Sequence, residues 1–338
     1  MDTLNDRYLT KFTSVWAPEI IEYLKNREKA GFNAVIMARN LLNLDRFCNE
    51  RQLKEKFFSR DDAEAYRLVR NHEAPRTRYN RVNIAKIFFE TMLKQGYEVT
   101  PPRNVTYKGC NSFVPHIYTE EERVAYFRAV DTYNYGQSGR CAIIMPLLFR
   151  LLACNGLRIG EALAICKCDV DLYSGIIKLR KTKNGAERYT ILSSDLLSLM
   201  RSYANKTFYQ IADSEPIFWG FKVLNERLTE STVRQYHVEF LHAANIPYNG
   251  EHHGPRVHDW RWTAAVMSCK QLIDRGMDMH TSLVYLAQWL GHRSTQATEY
   301  YLRYATTLFP YLCSKLDDTL DQALKALGDS LEVPEDVD

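Results

Sequence analysis

Four short stretches of the chain carry side chains that can act on a phosphate ester. NGLRIGEAL holds Arg158 and Glu161, and KTKNGAER holds Lys181 and Lys183. VHDWRWT holds His258 and Arg261, and LGHRSTQATEYY holds His292 with Tyr300 and Tyr301. Arginines can grip non-bridging oxygens in forked hydrogen bonds and neutralise the charge that builds on phosphorus, which a lysine does less well. Histidines move protons near neutral pH, a lysine can protonate a departing oxygen, and a tyrosine can attack. A phenol with an ordinary pKa of about 10 is a poor nucleophile unless a base or nearby cations help it, and these stretches offer both. The combination fits a metal-free covalent phosphoryl transfer.

Taken singly, each stretch has a plainer reading. Arg158 and Glu161, three apart, suit a helix-surface ion pair. Lys183 beside Asn184-Gly185 suits an exposed hairpin lysine. His258 and Arg261 can decorate one helix face, and His292 after Gly291 can end a helix. Only together do they make a reaction centre, and only if the fold brings them together.

The elements that must do so are mostly helical. In the first hundred residues, PEIIEYLKN, NAVIMARNLLNLDRFCNERQ, DDAEAYRLVRN and YNRVNIAKIFFETMLKQGY repeat apolar residues three or four apart, with Gly31 and Gly96 as helix stops. Arg76, Arg78 and Arg81 crowd the entrance of the last of these helices, either as a solvated face or as a phosphate-contacting edge. A Pro- and Gly-containing stretch over 101–115 reads as a linker. Thr119 and Glu122 then match a capping box at the start of a second domain near residue 116. CAIIMPLLFRLLAC predicts a buried helix broken at Asn155-Gly156. GIIKLR (175–180) and RYTIL (188–192) predict a hairpin around the Asn-Gly turn, with EPIFW (215–219) as a third strand. Helices return from Thr229 onward, and Leu316, Leu320, Leu324 and Leu327 line one face of a last helix before an acidic end.

Composition narrows the partner. The formal charge is +3, but residues 1–115 carry 20 Lys/Arg against 14 Asp/Glu, while residues 316–338 carry one lysine against eight acids. A basic body with an acidic tail suits a polyanion. No segment approaches the roughly 20 apolar residues of a membrane span, and MDTLNDRYLTKF lacks an apolar signal-peptide core. A cytoplasmic protein away from membranes is expected. The eight cysteines follow neither a disulfide nor a zinc rhythm, and His252 and His253 with His258 lack a carboxylate or cysteine to complete a metal site. No metal and no cofactor is expected.

In order and in spacing these boxes resemble the catalytic domain of the tyrosine recombinase/integrase superfamily, the phage-integrase, Xer and Cre group. NGLRIGE matches its xGLRxxE box, HDWR its HxxR box and LGH its LGH box. Tyr301 stands nine residues after His292, where the family has its tyrosine. The first hundred residues look like the family's SAM-like core-binding domain. HDWRWT departs from the pattern, with Trp260 and Trp262 where many relatives have Leu and His.

The resemblance implies a chain that is mainly α with a small β-sheet. It would comprise a SAM-like helical DNA-binding domain (1–100), a linker (101–115), an α+β catalytic domain (116–315) and a C-terminal helix with an acidic tail (316–338). It implies a site-specific DNA recombinase working through a 3′-phosphotyrosyl intermediate. Tyr301 would be the nucleophile and Lys183 the donor to the leaving 5′ oxygen, with Lys181 the alternative. Arg158, Arg261 and His292 would stabilise the transition state, His258 would assist proton transfer and Glu161 would orient its neighbours. Tyr300 and Tyr304, on another helix face, would pack or dock. Implied partners are double-stranded DNA with specific recombination sites, further copies forming a homotetramer on DNA, and accessory DNA-bending or directionality factors. Integration or excision of a mobile element is the favoured setting. Chromosome-dimer resolution, a nicking enzyme like the type IB topoisomerases and a non-cutting DNA-binding accessory protein are the alternatives.

Overall fold

The computed structural model describes residues 6–32, 34–106, 114–136, 139–180, 187–219, 228–250, 254–292 and Thr298. The chain divides into two compact units, Met1–Cys110 and Asn111–Asp338, with the division inside the Pro- and Gly-containing stretch.

The first unit is helical: α1 (Asp6–Leu9), α2 (Ala17–Lys29), α3 (Ala34–Glu50), α4 (Arg60–Arg67) and α5 (Pro75–Lys94). Pro75 opens α5, where its fixed φ suits the helix and its missing N–H would have been unpaired anyway. Ser59 and Asp62 close a capping box on α4. The core is aromatic: Phe58 stacks on Phe89 at 4.1 Å, and Trp16 meets Phe88 and Phe89 edge-on.

One sequence expectation changes here. Arg81, grouped with Arg76 and Arg78 as a phosphate-contacting edge, is only 1% exposed. Its Nε and Nη2 donate to the Glu73 carboxylate at 2.6 and 2.8 Å, and its guanidinium also caps the carbonyls of Tyr66 and Leu68. A guanidinium enclosed this way ties α5 to the end of α4 and has no face to offer a ligand. Arg78 is half-buried, with its Nε on the Arg67 carbonyl at 2.8 Å. Arg76 is also half-buried.

The second unit begins with α6 (Glu120–Thr132), on which Thr119 and Glu122 form the expected capping box. α7 (Gly139–Asn155) buries an apolar face that includes Ile144, Leu148 and Leu152 and contains Pro146, which removes the donor that the Ala142 carbonyl would use. After Gly156 come the short α8 (Ile159–Leu163), β1 (Val170–Asp171), β2 (Ile176–Leu179) and β3 (Arg188–Ile191). The helices α9 (Ser194–Thr207), α10 (Glu230–Ala243), α11 (Asp259–Asp274) and α12 (Met279–Leu290) follow.

The three strands form one antiparallel sheet in the order β1-β2-β3, with Leu179 opposite Arg188 and Ile177 opposite Thr190. Ile177, Leu179 and Thr190 are buried, while Tyr189 and Ile191 are exposed, the alternation of a half-buried sheet. Asn155, at the end of α7, donates to Thr190 Oγ1 and the Ile191 carbonyl at 2.8 and 2.9 Å, fastening the sheet to the helix. The third strand is not EPIFW. That segment makes only an isolated bridge, Cys166 to Pro216, and buries Ile217, Phe218 and Trp219 in the core. Its apolar run serves packing, whereas two-residue β1 is too short to leave a pattern.

Trp260 and Trp262 lie on opposite faces of α11, because residues two apart on a helix are separated by about 200°. Trp260 stacks flat on Tyr118 at 3.9 Å, within the core that α6, α7 and α10 share. Trp262 packs with Leu283, Leu286 and Leu290 of α12. Both are fully buried, and truncating either would cost about 3–5 kcal/mol. Segment 116–118 is tied to the same helix: His116 N–H donates to Asp259 at 3.3 Å and Tyr118 N–H to Thr263 Oγ1 at 3.1 Å. Arg261 therefore rises from a helix fixed on both sides. Among the described residues no helix is long and apolar enough to cross a membrane.

Candidate active site

Two left-handed glycines prepare the site. Gly156, with φ of +57°, turns the chain between α7 and α8 and leaves Arg158 as the residue capping α8. A Cβ there would crowd Leu290 and Trp289 at 3.2 and 3.3 Å. Gly291, with φ of +70°, ends α12, and the His292 N–H returns to the Ala287 carbonyl at 2.9 Å. This is the C-terminal closure that glycine permits, and it presents the His292 side chain.

Arg261 joins the two turns. Fully buried, it donates Nη1 to the Gly156 carbonyl and Nη2 to the Leu290 carbonyl, each at 2.5 Å, and Nη2 also stands 3.1 Å from His292 Nε2. His292 Nδ1 lies 2.8 Å from Thr298 Oγ1. Burial first, then the guanidinia of Arg261, Arg158 and Arg188, push the His292 pKa down to about 2. The ring is neutral at rest.

Glu161 is the hub. Its carboxylate accepts from Arg158 Nη1 at 3.0 Å, from the Arg158 backbone N–H at 3.1 Å and from Arg188 Nη2 at 2.7 Å, with Arg261 Nη1 4.0 Å away. Burial alone would raise its pKa, but the three guanidinia, Arg188 foremost, hold it below the usual carboxylate range. Arg158 Nε and Nη2 are buried with no hydrogen-bond partner among the described residues. Three guanidinia against one carboxylate leave an excess of two positive charges, with donors still to be satisfied. That is a socket for an anion.

Arg158, Glu161, Arg261 and His292 thus come together from α8, α11 and the end of α12. His258 sits half-buried at the start of α11, one turn before Arg261. Lys181, Lys183, Tyr300, Tyr301 and Tyr304 lie outside the described residues, as do His252 and His253.

Residues 126–307 match the model of the phage integrase family. The chain belongs to that family. An integrase/recombinase protein of Methanocaldococcus jannaschii is 32% identical over 165 residues, covering 48% of this chain and 46% of the relative. The tyrosine recombinase XerA of Saccharolobus solfataricus is 27% identical over 184 residues, covering 54% of this chain and 50% of the relative. The chain spans about half the length of these curated relatives. Among solved structures, the XerH site-specific recombinase in a post-cleavage complex with its difH substrate is similar with a TM-score of 0.59 at 15% identity, over 91% of this chain and 93% of that one. At that identity the likeness speaks for the fold.

Within the phage integrase family pattern, sequence reasoning passed over Arg188. It is the first residue of β3, and its type and place in the sequence alone do not set it apart from a solvated arginine. In the structure it reaches Glu161 and the Trp289 carbonyl, the latter at 2.7 Å.

Proposed function

We propose that this chain is a site-specific DNA recombinase that cuts and rejoins DNA through a covalent protein–DNA ester. The observation that carries the reading is the cationic socket around Glu161, in which two buried donor nitrogens of Arg158, Nε and Nη2, have no acceptor among the described residues, beside Arg261 and His292. A scissile phosphate would supply the missing acceptor oxygens and the missing negative charge.

In this reading the Tyr301 oxygen attacks phosphorus, the bond to the 5′ oxygen breaks, and Lys183 gives that oxygen a proton. The tyrosine proton passes to a base, and His258, in the HDWR box one turn before Arg261, assists that transfer. Arg158 and Arg261 neutralise the pentacoordinate phosphorus. His292 is a neutral acceptor at rest because burial first, and the surrounding guanidinia second, disfavour its charged form, and the negative charge of an arriving phosphate raises its proton affinity. Resolution reverses the steps with the 5′ hydroxyl of a second strand. The energy of the broken bond stays in the ester, so neither ATP nor a divalent metal is required. Four copies on two duplexes would complete an exchange, aided where needed by DNA-bending or directionality factors.

For the biological setting we favour integration or excision of a mobile element, on the acidic tail and the tryptophan-rich HDWRWT. Resolution of chromosome dimers, implied by the resemblance to the Xer group, is the second reading.

The test uses the full chain in EDTA with a nicked duplex, selected from a randomised pool for binding to this protein. A covalent adduct is expected, lost in Tyr301→Phe and kept in Tyr300→Phe. The reverse pattern would identify Tyr300 as the nucleophile. No adduct on duplex that the protein binds would favour a non-cutting DNA-binding protein.

A further inference from the structure

We propose that Arg188 is a positioning residue for this site, holding the Glu161 carboxylate against Arg158 and fixing the turn that presents His292. The inference rests on the strand-cutting reading and adds a residue to its machinery.

Arg188 is the first residue of β3, and its side chain leaves the sheet to bridge two remote segments. Nη2 donates to Glu161 Oε2 at 2.7 Å, across 27 residues of sequence. Nη1 donates to the Trp289 carbonyl at 2.7 Å, across 101 residues. The backbone that carries it is held independently by Asn155, so the guanidinium works from a fixed anchor.

Two consequences follow from the geometry. Glu161 Oε1 binds Arg158 Nη1 while Oε2 binds Arg188 Nη2, so the carboxylate is held from both ends. Without Arg188, Oε2 would keep only the backbone N–H of Arg158 and the carboxylate would be free to swing toward Arg261 Nη1, now 4.0 Å away. Arg158 would lose the partner that aims its remaining N–H groups. The second consequence concerns α12. A Cβ on Gly291 would stand 2.8 Å from Arg188 Cδ and 2.9 Å from its Nε, so the arginine lies directly against the turn. It holds that turn through the Trp289 carbonyl, three residues before His292. One side chain therefore sets the placement of both a phosphate-gripping arginine and the histidine opposite it.

A lysine in its place keeps the charge but not the fork. A methionine keeps the bulk and loses both bonds. A displacement of about 1 Å at reacting groups can cost on the order of a hundredfold in rate, so the effect belongs in the chemical step and not in duplex affinity.

The test compares full-length wild type, Arg188→Met, Arg188→Lys, Glu161→Gln and the double variant Arg188→Met/Glu161→Gln, on the nicked duplex selected above. At saturating DNA, Arg188→Met is expected to slow adduct formation about tenfold to a hundredfold, with duplex affinity within about twofold and melting checked alongside. Arg188→Lys recovers part of the rate. The double variant is no slower than the worse single by more than about threefold, because both act through one carboxylate. Wild-type rates in Arg188→Lys and Arg188→Met, or losses that multiply in the double variant, would overturn the proposal. A second readout needs no cutting: the imidazole resonance of His292 in selectively labelled protein. It is expected to move in Arg188→Met and in Arg188→Lys, the variant that keeps the charge, and to stay in place in the control Lys178→Met. A resonance unmoved in both Arg188 variants overturns the proposal whatever the cutting assay gives. Absence of wild-type adduct with a moved resonance would count against the strand-cutting reading alone.

Discussion

Arg261 Nη2 stands 3.1 Å from His292 Nε2, while the other ring nitrogen faces Thr298 Oγ1 at 2.8 Å. An arginine carries only donors, so Nε2 must be the acceptor and Nδ1–H donates to Thr298. The tautomer of His292 is therefore dictated by Arg261, and the same guanidinium holds the carbonyls that end two turns, Gly156 and Leu290.

Arg261→Lys should separate these duties. One ammonium cannot serve both carbonyls and His292 with the geometry of a fork, so a buried acceptor is left unpaired at a cost of about 1–3 kcal/mol. Adduct formation should fall by at least about a hundredfold, since the orientation of His292 and the fixed geometry of one of the three guanidinia around Glu161 are lost together. Chemical denaturation and single-turnover adduct assays measure the two effects. A lysine variant that cuts at the wild-type rate would show that charge alone suffices here.

A second prediction concerns stability against pH. His237 is enclosed between the Tyr126 hydroxyl, 2.7 Å from Nδ1, and the Pro255 carbonyl, 3.3 Å from Nε2. The carbonyl requires Nε2–H, so Nδ1 accepts from the tyrosine and the ring is satisfied while neutral. Burial pushes its pKa down to about 3. Between that value and an unfolded value of about 6.5, the unfolded chain binds a proton that the folded chain does not. Stability therefore rises with pH through this window and is lost as pH falls below about 6.5, at up to about 1.4 kcal/mol per pH unit. His237→Gln offers a donor to Pro255 and an acceptor to Tyr126 without titrating. It should remove roughly 1–2 kcal/mol of the loss in unfolding free energy between pH 8 and pH 5. Equal losses in variant and wild type would mean that His237 does not titrate on unfolding.

The sequence revealed the groups whose relationships are local. Arg158 and Glu161 share one turn, His258 and Arg261 share another, and the boxes that carry them have fixed internal spacing. The helices were legible through periodicity, and the two β-prone runs that predicted a hairpin pair as β2 and β3, while Asn184-Gly185 lies outside the described residues. Arg188 was not legible, because its meaning arises only when β3 is laid against α8 and the end of α12, and nothing in the run KTKNGAER distinguishes a bridging arginine from a solvated one. EPIFW misled for a related reason: a short apolar run bounded by turn residues reads the same whether it pairs in a sheet or lines a core. Trp260 and Trp262 looked like an unexplained departure until α11 was seen to bury both faces.

Arg81 is the sharpest case, and it yields the last prediction. Three arginines at a helix entrance look like a cationic edge, but Glu73, eight residues earlier, folds back and closes on one of them. The Arg81 and Glu73 side chains are 1% and 6% exposed, and the guanidinium also satisfies the Tyr66 and Leu68 carbonyls. Arg81→Met would leave the Tyr66 and Leu68 carbonyls without their guanidinium donor and a buried carboxylate with only the Arg70 backbone N–H, 3.3 Å away, a loss of about 3–5 kcal/mol. Adding Glu73→Gln to Arg81→Met should recover part of that loss by removing the uncompensated charge. DNA affinity separates the two readings of the arginine cluster. If Arg81 gripped a phosphate, its loss would lower the slope of log affinity against log salt by about one. The enclosed geometry predicts that a folded Arg81 variant keeps the wild-type slope, while the unfolding midpoint moves, as measured by denaturation and by binding at several salt concentrations. A reduced slope with unchanged stability would return Arg81 to the DNA-facing surface.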